Sequence, residues 1–542
     1  MILGVLFDFD NTIYDYETNN KNALNKLFET LSYEYNLNKN IIEINYKKIN
    51  NNIKNSNNSN NKFNKTIYIK KLLEKLNISY NNFDKYLKIY EDEFNSNFKY
   101  YDGILELFKY LKNKNIKIGI ISNNIFIQQY NKLKKLYLLE YIDFIETSDE
   151  CGEEKPNNNI FLSMQNKMKL PFENIAYIGD NYEHDIETSL NFNMFPFHFI
   201  KDSKLLLKNK YIEFGNFVDL NLYFEDYFKT VDELIFLSKY FGQSVLNIQG
   251  PGGNISVKLD DFIFIKSSGA VLGNLSYNEG YCLANNNKCL ELLDSGKELE
   301  LKNSKIFGSK IPSMETFFHC FMKKYTVHVH FTLANIFFCS NKEFKLNNFP
   351  YNYQIIKYIP PGLLLANEVY KKYTNDCDVY FLENHGLIIT SENLNIVINI
   401  YENIYNYFNN LLEHKFNNEL NTFYINKEYY FKRKKSLVVR SYNINYEILE
   451  KIKYCFPDLA IFIETIGIFK NLDDFYESLE HFNIIIINKQ VYLISENITK
   501  LYYLIELIDK YKVLADYCYD NLNSINDIKY LQNMEAEKFR KL

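Results

Sequence analysis

Apolar runs that end in acidic or small polar residues recur along the chain to about residue 200. The segments ILGVLFDFD, KIGIISNN and NIAYIGDN each read as a strand followed by a loop, whereas GILELFKYLKNKN and NNNIFLSMQNKM have the apolar spacing of helices. Strands that alternate with helices predict a Rossmann-like parallel sheet for residues 1–205. We expect ligands to bind at the edge where the strands end.

A stretch with helical periodicity interrupts this pattern after the first strand, at about residues 15–97. Within it, the asparagine- and lysine-rich patch NNNIKNSNNSNNKFNK predicts an exposed loop. We therefore predict a helical insertion that forms a lid, or cap, over the sheet.

The pattern changes near residue 225, where the predicted helix TVDELIFLSKYFGQ precedes the glycine-rich segment NIQGPGGNISVK. Predicted strands DFIFIKSS, YTVHVHF, DVYFLEN and GLIITS then alternate with helices, which predicts a second domain at 225–420. The remaining segment, 425–542, has both strand-like and helical stretches and predicts an α+β extension of unknown role.

Charge and composition narrow the class of partner. The 542 residues carry a formal net charge of −5 and no dense lysine or arginine stretch, so we expect small-molecule partners and no nucleic acid. No apolar run approaches the roughly 20 residues of a membrane span, and acidic residues come too early for a signal peptide. These features predict a cytoplasmic protein that binds no membrane. The 8 cysteines form no C-x-x-C pair, which predicts reduced thiols.

Acidic residues follow the first strand at a spacing of two, since Asp8 and Asp10 lie in FDFDNTIYD. A loop can turn both carboxylates toward one pocket, where they suit a hard cation and an oxygen nucleophile. Ordinary loop solvation is the alternative interpretation for any one such segment. Other candidate residues near strand ends or helix starts are Ser122, Lys155, Asp180 and Asp185.

In order, these segments resemble the haloacid-dehalogenase-like phosphohydrolases, whose pattern is D-x-D-x-T, then serine or threonine, then lysine, then G-D-x...D. The resemblance covers about residues 1–200. It implies that Asp8 is the nucleophile that becomes an aspartyl phosphate and that Asp10 is the acid/base. It also implies that Thr12 and Ser122 hold phosphoryl oxygens while Lys155 neutralises developing charge.

The same resemblance implies a Mg²⁺ ion. Asp8, the backbone carbonyl of Asp10, and Asp180 would hold this ion, and Asp185 would support them. The helical insertion corresponds to the cap with which this family selects its substrates.

Histidines provide the second candidate site. His328 and His330 alternate on a predicted strand and therefore project to the same side of it. His385 lies between two later predicted strands and could complete a site with three nitrogen ligands and an open position, which is typical of catalytic zinc. The alternative is a pair of core histidines with an unrelated loop histidine.

The segments GNISVK, KSSG, SMETFFH, HVH and NHG, in this order, resemble the class II aldolase/adducin family over about residues 230–410. This resemblance implies an α/β/α fold in which the three histidines bind Zn²⁺ or another divalent metal. Glu315 would be the acid/base or a metal-side carboxylate. The residues that would contact the substrate phosphate are Asn254, Ser268, Gly269 and Ser313.

Together the two resemblances imply a bifunctional enzyme of carbohydrate metabolism, a phosphatase joined to an aldolase- or epimerase-type lyase that acts on sugar phosphates. Carbon–carbon cleavage, epimerisation and dehydration all remain open. The alternatives are a dehydratase/phosphatase like that of methionine salvage, and an adducin-like binding module without catalysis. A homo-oligomer formed through the second domain is a further expectation.

Overall fold

The computed structural model describes residues 1–55, 62–244, 246–248, 250–308, 310–340 and 346–416, together with five strands between 428 and 495. The chain divides into two compact units, of which the first is Met1–Asp226 and the second begins at Tyr227.

The first unit alternates strands with helices. Its strands are β1 (Gly4–Phe7), β2 (Lys117–Ser122), β3 (Phe144–Thr147), β4 (Ile175–Gly179), β5 (Phe195–Phe199), β6 (Leu206–Lys208) and β7 (Tyr211–Phe214). Its helices are α1 (Tyr16–Tyr35), α2 (Lys39–Lys54), α3 (Lys65–Lys75), α4 (Phe83–Ser96), α5 (Ile104–Asn113), α6 (Phe126–Lys135), α7 (Ser148–Cys151), α8 (Asn158–Met168), α9 (Thr188–Asn191) and α10 (Phe217–Gly242), which extends into the second unit. Short 3₁₀ turns and a π-helical segment, Tyr182–Glu187, connect some of them.

The strands of this unit form one sheet in the order β3-β2-β1-β4-β5-β7-β6. Every neighbouring pair is parallel except β6 with β7. Leu6, Ile121 and Tyr177 from the strands pack with Ile160 and Phe161 of α8 in a buried core. The predicted parallel sheet is therefore confirmed.

Helices α1 to α4 lie between β1 and β2 in the sequence and form the helical insertion. Helix α1 begins after Asp15, whose Oδ1 accepts a hydrogen bond from the Thr18 backbone N–H at 2.9 Å. Its buried residues Ala23, Leu27 and Leu31 recur every four positions, so one face of the helix is apolar. Helix α1 packs along α4 through this insertion.

The asparagine-rich patch departs from the predicted loop at both of its ends. Its first residues, through Lys54, form the last turn of α2, and its last residue, Lys65, begins α3. Asn64 explains the second boundary, because its side chain accepts a hydrogen bond from the Thr66 backbone N–H at 3.1 Å and so caps α3. Residues 56–61 of the patch lie outside the described residues.

The second unit has a larger mixed sheet. Its strands are β8 (Asn254–Leu259), β9 (Phe262–Lys266), β10 (Tyr281–Asn285), β11 (Lys305–Phe307), β12 (Tyr325–Val329), β13 (Tyr353–Ile356), β14 (Val379–Leu382) and β15 (Gly386–Ser391). Its further helices are α11 (Asn286–Asp294), α12 (Thr316–His319), α13 (Thr332–Ser340), α14 (Leu363–Lys372) and α15 (Leu394–Phe416). The sheet order is β11-β10-β9-β8-β12-β15-β14-β13, with β13 and β14 parallel and the other neighbours antiparallel.

Helices cover both faces of this sheet. On one face Ile388 packs in a buried cluster with Leu292 of α11, Phe317 of α12 and Leu365 of α14. On the other, Phe381 lies 5.2 Å, between ring centroids, from Phe338 of α13 and 5.6 Å from Phe408 of α15. The predicted α/β/α layering is confirmed, although most of the strand pairs are antiparallel.

The C-terminal segment contributes a third sheet. Its strands β16 (Glu428–Lys432), β17 (Ser436–Tyr442), β18 (Ile466–Phe469), β19 (Ile484–Ile487) and β20 (Gln490–Ser495) are ordered β16-β17-β20-β19-β18. The rest of the predicted 425–542 extension lies outside the described residues. Among the helices that are described, none is long and apolar enough to cross a membrane.

Candidate active sites in the two units

The first site lies where β1 and β4 end. These strands are parallel neighbours, so Asp8, which follows β1, and Asp180, which follows β4, come together at one edge of the sheet. Thr12 links them, since its hydroxyl lies 3.1 Å from Asp8 Oδ2 and 3.1 Å from Asp180 Oδ1. The structure thus brings three predicted residues into one polar cluster.

Lys155 lies on the other side of Asp8. Its buried amine donates hydrogen bonds to Asp8 Oδ1 at 2.6 Å and to Asp185 Oδ1 at 2.7 Å, and it lies 3.2 Å from the Tyr177 hydroxyl. Although burial alone lowers it, the two carboxylates hold the pKa of Lys155 well above its ordinary value. Lys155 is therefore a fixed positive charge beside Asp8.

The three carboxylates of this site are suited to a hard cation. Asp8, Asp180 and Asp185 each offer one oxygen, and these oxygens lie within 4.8 Å of one another. Burial, followed by the neighbouring carboxylates, raises the pKa of Asp8 to about 8 despite Lys155, and burial with Asp185 raises the pKa of Asp180 to about 6. A divalent cation would stabilise their ionised forms, and Mg²⁺ prefers oxygen ligands of this kind.

The Asp10 carboxylate has different surroundings. It accepts hydrogen bonds from Lys132 Nζ at 2.6 Å, Gln129 Nε2 at 2.8 Å and Asn124 Nδ2 at 3.0 Å, and also from the Tyr14 hydroxyl. Burial opposes ionisation, but the charge of Lys132 and these hydrogen bonds hold the pKa of Asp10 below its ordinary value. This carboxylate is therefore held by other partners and is not one of the three grouped carboxylates, and only the backbone carbonyl of Asp10 stays a predicted metal ligand.

Ser122 joins this second network, because Gln129 Nε2 also lies 2.7 Å from its hydroxyl oxygen. Neither Gln129 nor Lys132 was predicted as a site residue from the sequence. They lie three residues apart on α6, a common spacing on helices, and the burial of Gln129 that distinguishes it appears only in the folded chain.

In the second unit three histidines surround one point. His328 lies on β12, His330 follows that strand, and His385 precedes β15, which pairs with β12. The ring centroids of His328 and His330 lie 5.1 Å apart, those of His328 and His385 4.8 Å, and those of His330 and His385 4.9 Å. Asn384 has a φ of 54°, which turns the chain just before His385.

Glu315 completes this group from the start of α12. Its Oε1 lies 3.4 Å from His328 Nε2 and 3.6 Å from His385 Nε2. One atom from each of these residues and His330 lies within 4.8 Å of the others, and all four residues are buried.

The orientation of His328 fits a metal ligand. Its Nδ1 lies 3.2 Å from the Leu387 carbonyl oxygen, which favours a proton on Nδ1 and leaves Nε2 with a lone pair toward Glu315. Within the described residues Nε2 forms no hydrogen bond although it is buried. Three imidazoles with one carboxylate are a donor set that zinc and similar divalent ions accept.

The predicted phosphate-contacting residues lie on segments next to this group. Asn254 pairs with His328 across β8 and β12, and no hydrogen bond to its buried side-chain amide is formed within the described residues. A bridge between Ser267 and Pro312 brings the Ser268–Gly269 turn beside Ser313. Gly269 has a φ of 72°, a conformation that favours glycine.

His319 lies beside the group of three histidines and contacts a neighbouring strand. Its Nδ1 lies 2.7 Å from the Ser256 hydroxyl, on the strand next to His328, and it is not one of the four grouped ligands. Burial holds the pKa of His319 well below its ordinary value, so the ring is neutral.

Comparison with known families agrees with both clusters. Residues 5–197 match the haloacid dehalogenase-like hydrolase family, and residues 233–409 match the class II aldolase and adducin N-terminal domain. The chain therefore joins a haloacid dehalogenase-like hydrolase domain to a class II aldolase and adducin domain. Both recognitions made from the motifs are confirmed.

Individual relatives match parts of one domain or the other. This chain is 38% identical over 84 residues to a glyceraldehyde 3-phosphate phosphatase of Methanothermobacter thermautotrophicus, and the match covers 16% of this chain and 37% of that protein. It is 31% identical over 81 residues to a ribulose-1,5-bisphosphate 5-phosphatase of Halopiger xanaduensis, 15% of this chain and 34% of that protein. The chain spans about two fifths or less of the length of such relatives.

A solved class II aldolase domain from Thermoplasma acidophilum is 26% identical, with a TM-score of 0.30, and the match covers 34% of this chain and 93% of that one.

Proposed function

We propose that the protein is bifunctional, with a Mg²⁺-dependent phosphatase for a small phosphorylated sugar in its hydrolase domain and a metal-dependent lyase or epimerase in its aldolase domain. The observation that carries the proposal is the presence of two separate groups of ligating side chains, a buried to half-buried group of carboxylates and a buried group rich in imidazoles. Consecutive reactions on one phosphorylated intermediate would explain why the domains share a chain.

In the hydrolase domain, Asp8 attacks phosphorus and forms an aspartyl phosphate as the substrate alcohol leaves. Lys155 lies 2.6 Å from Asp8 and balances charge on the phosphoryl oxygens, while the hydroxyls of Thr12 and Ser122 bind those oxygens. A bound Mg²⁺ would stabilise the negative charge of the transferring group.

Asp10 performs the proton transfers of that reaction. Because its carboxylate is ionised in the substrate-free site, it must first take up a proton when the substrate binds. It passes that proton to the leaving alcohol oxygen and then removes one from the water that hydrolyses the aspartyl phosphate. Its hydrogen bonds from Gln129, Asn124 and Lys132 fix the carboxylate in a single orientation, which supports this role because proton transfer needs accurate placement.

In the aldolase domain, His328, His330 and His385 would hold a divalent metal, which polarises a substrate carbonyl when bound. Glu315 moves the proton between substrate carbon and oxygen, and its position beside two of the imidazoles supports that role. Asn254, Ser268, Gly269 and Ser313 bind the phosphate of the substrate. A homo-oligomer formed through this domain is part of the proposal.

An assay of the purified full-length chain with a panel of aldose and ketose phosphates tests the proposal. We expect release of inorganic phosphate that requires Mg²⁺, and aldehyde formation or epimerisation that a chelator abolishes and Zn²⁺ restores. Phosphate release without any metal content or carbon–carbon chemistry in the second domain would instead favour an adducin-like binding module. Phosphate release together with dehydration would favour the dehydratase/phosphatase alternative.

A further inference from the structure

Lys65, at the start of α3 in the helical insertion, forms no ion pair with an acidic side chain among the described residues. Its amine lies 4.9 Å from the ring centroid of Tyr68 and 5.9 Å from that of Tyr16. Burial, followed by the charges of Lys54 and Lys132, lowers the pKa of Lys65 to about 8. The residue as a whole is partly exposed, so a ligand can reach the amine.

Three other lysines that are buried or half-buried bind protein groups. Lys155 is paired with two carboxylates, and Lys132 lies 2.6 Å from Asp10. Lys258, whose pKa is also lowered to about 8, donates hydrogen bonds to the backbone carbonyls of Cys320 and Met322.

By contrast, the side-chain amine of Lys65 forms neither an ion pair nor a hydrogen bond with any described residue. The stretch 56–61, which precedes it outside the described residues, reads SNNSNN and contains no acidic residue. The half-buried Lys65 ammonium has lost part of its hydration, and cation–π contacts with two tyrosine rings replace only a small part of that loss.

The position of Lys65 relates it to the phosphatase site. Lys132 lies 5.3 Å from the same Tyr16 ring centroid, and it binds the carboxylate of Asp10. Among the charges that act on Lys65, Asp10 is the one that favours its protonated form. Lys65 and Lys132 therefore share the Tyr16 ring as a neighbour, which places the Lys65 amine next to the network around Asp10.

We propose that Lys65 binds a second anionic group, a carboxylate or a phosphate, on the alcohol part of the phosphatase substrate. The inference rests on the proposed phosphatase function and specifies its substrate class as phosphomonoesters whose leaving alcohol is itself negatively charged. An anion that enters beside Tyr16 and Tyr68 supplies the charge-assisted hydrogen bonds that the protein does not provide.

Matched substrates test this specificity. The first pair is 3-phosphoglycerate and glycerol 3-phosphate, and the second is fructose 1,6-bisphosphate and fructose 6-phosphate, so that the two pairs separate a carboxylate from a phosphate. In the preferred pair, Lys65→Met should lower kcat/KM for the substrate whose leaving alcohol carries a second anionic group. The loss should be about 10- to 100-fold, the usual value of a charge-assisted hydrogen bond. The same variant should change kcat/KM for the substrate with a neutral leaving alcohol by less than about 3-fold. Lys65→Arg should restore most of the loss on the other substrate.

Lys54→Met is the matched control. It removes an exposed lysine on α2 whose charge also acts on Lys65. It should leave the discrimination intact. Equal losses on both members of each pair, or no loss on either, would overturn the proposal.

A second measurement does not depend on turnover. In full-length Asp8→Asn protein, an amine-labelling reagent at pH 8 should modify Lys65, and 3-phosphoglycerate or fructose 1,6-bisphosphate should protect it, as quantified by peptide mass spectrometry. Protection without phosphate release by the wild type would contradict the phosphatase but keep the anion site. Phosphate release without protection by either anion would contradict the anion site alone.

Discussion

The two candidate sites differ in how the sheet brings their residues together. In the first domain, parallel strands bring Asp8 and Asp180 to one edge of the sheet, although they are 172 residues apart in the sequence. In the second, His328 projects from a strand face, and the neighbouring antiparallel strand begins just after His385. A parallel sheet thus collects residues from its loops, whereas an antiparallel pair builds part of the site on the strands themselves.

The sites also differ in charge. Asp8, Asp180 and Asp185 face one lysine, so the first group has more carboxylates than cations, and the pKa values of Asp8 and Asp180 are raised. In the second group, one carboxylate lies among three imidazoles. Hard oxygen donors and borderline nitrogen donors select different cations, so we expect the two sites to bind different metals and to fail independently.

The largest expected effect is the loss of phosphate release when the proposed nucleophile Asp8 is replaced. Asp8→Asn should lower Mg²⁺-dependent phosphate release by roughly 10⁴-fold or more, because an amide cannot form the aspartyl phosphate. The aldolase domain should keep its metal and its activity. Steady-state assays of both reactions on one preparation check this, with the exposed Asp149→Asn as control. Substantial phosphate release by Asp8→Asn would contradict the assignment of the nucleophile.

The second effect concerns metal binding by imidazole. His330→Ala removes one of three nitrogen ligands, so the affinity for Zn²⁺ or a similar ion should fall by roughly 10²-fold or more, while phosphate release stays unchanged. Metal analysis after dialysis and competition with a chromophoric chelator measure the change.

His184→Ala is the control for that experiment, because His184 belongs to the first unit. Metal content that is the same in wild type and His330→Ala would rule out the three-histidine site. Loss of phosphate release along with the metal would show that the two sites are not independent.

A smaller effect distinguishes proton transfer from metal binding within the second site. Glu315→Gln should keep most of the metal, since the three histidines remain, yet lower lyase or epimerase turnover by about 10²-fold or more. Solvent deuterium exchange into substrate and metal analysis of the same sample separate the two properties. The exposed Glu300→Gln serves as control. If Glu315→Gln loses metal as fully as His330→Ala, the carboxylate is primarily a ligand.

Local sequence patterns predicted the parts of the fold and site that depend on short spacing. Alternating strands and helices predicted the parallel sheet of the first domain, and H-x-H on a strand predicted the pair of rings that the structure brings near His385. The antiparallel order of the second sheet was not predicted, because strand pairing depends on contacts between segments distant in sequence. The same limit applies to the third sheet.

Residues that support the motifs were missed for a similar reason. Lys132 and Gln129 reach Asp10 from α6, and Lys65 reaches the same region from the insertion, but each is an ordinary helical residue by type and spacing. The asparagine-rich composition around Lys65 predicted an exposed loop, whereas the Asn64 cap starts a helix there. Burial of a polar side chain, which reveals such residues, is a property of the folded chain.

The smallest expected effect is a pH dependence of Mg²⁺ affinity at the carboxylate site, which follows from its charge. In the metal-free hydrolase domain the pKa of Asp8 is raised to about 8 and that of Asp180 to about 6, so protons occupy these carboxylates below those values. Mg²⁺ must displace the protons, and its affinity should therefore rise between pH 6 and 8, by at most about tenfold per pH unit for each proton released, and level off above pH 8. Calorimetric titration with Mg²⁺ in buffers of different ionisation enthalpy counts the protons. Asp10→Asn is the control and should keep this pH dependence, because the Asp10 carboxylate has a lowered pKa and lies outside the three-carboxylate group. A Mg²⁺ affinity of the wild type that is constant between pH 6 and 8 would contradict Asp8 and Asp180 as the coupled ligands.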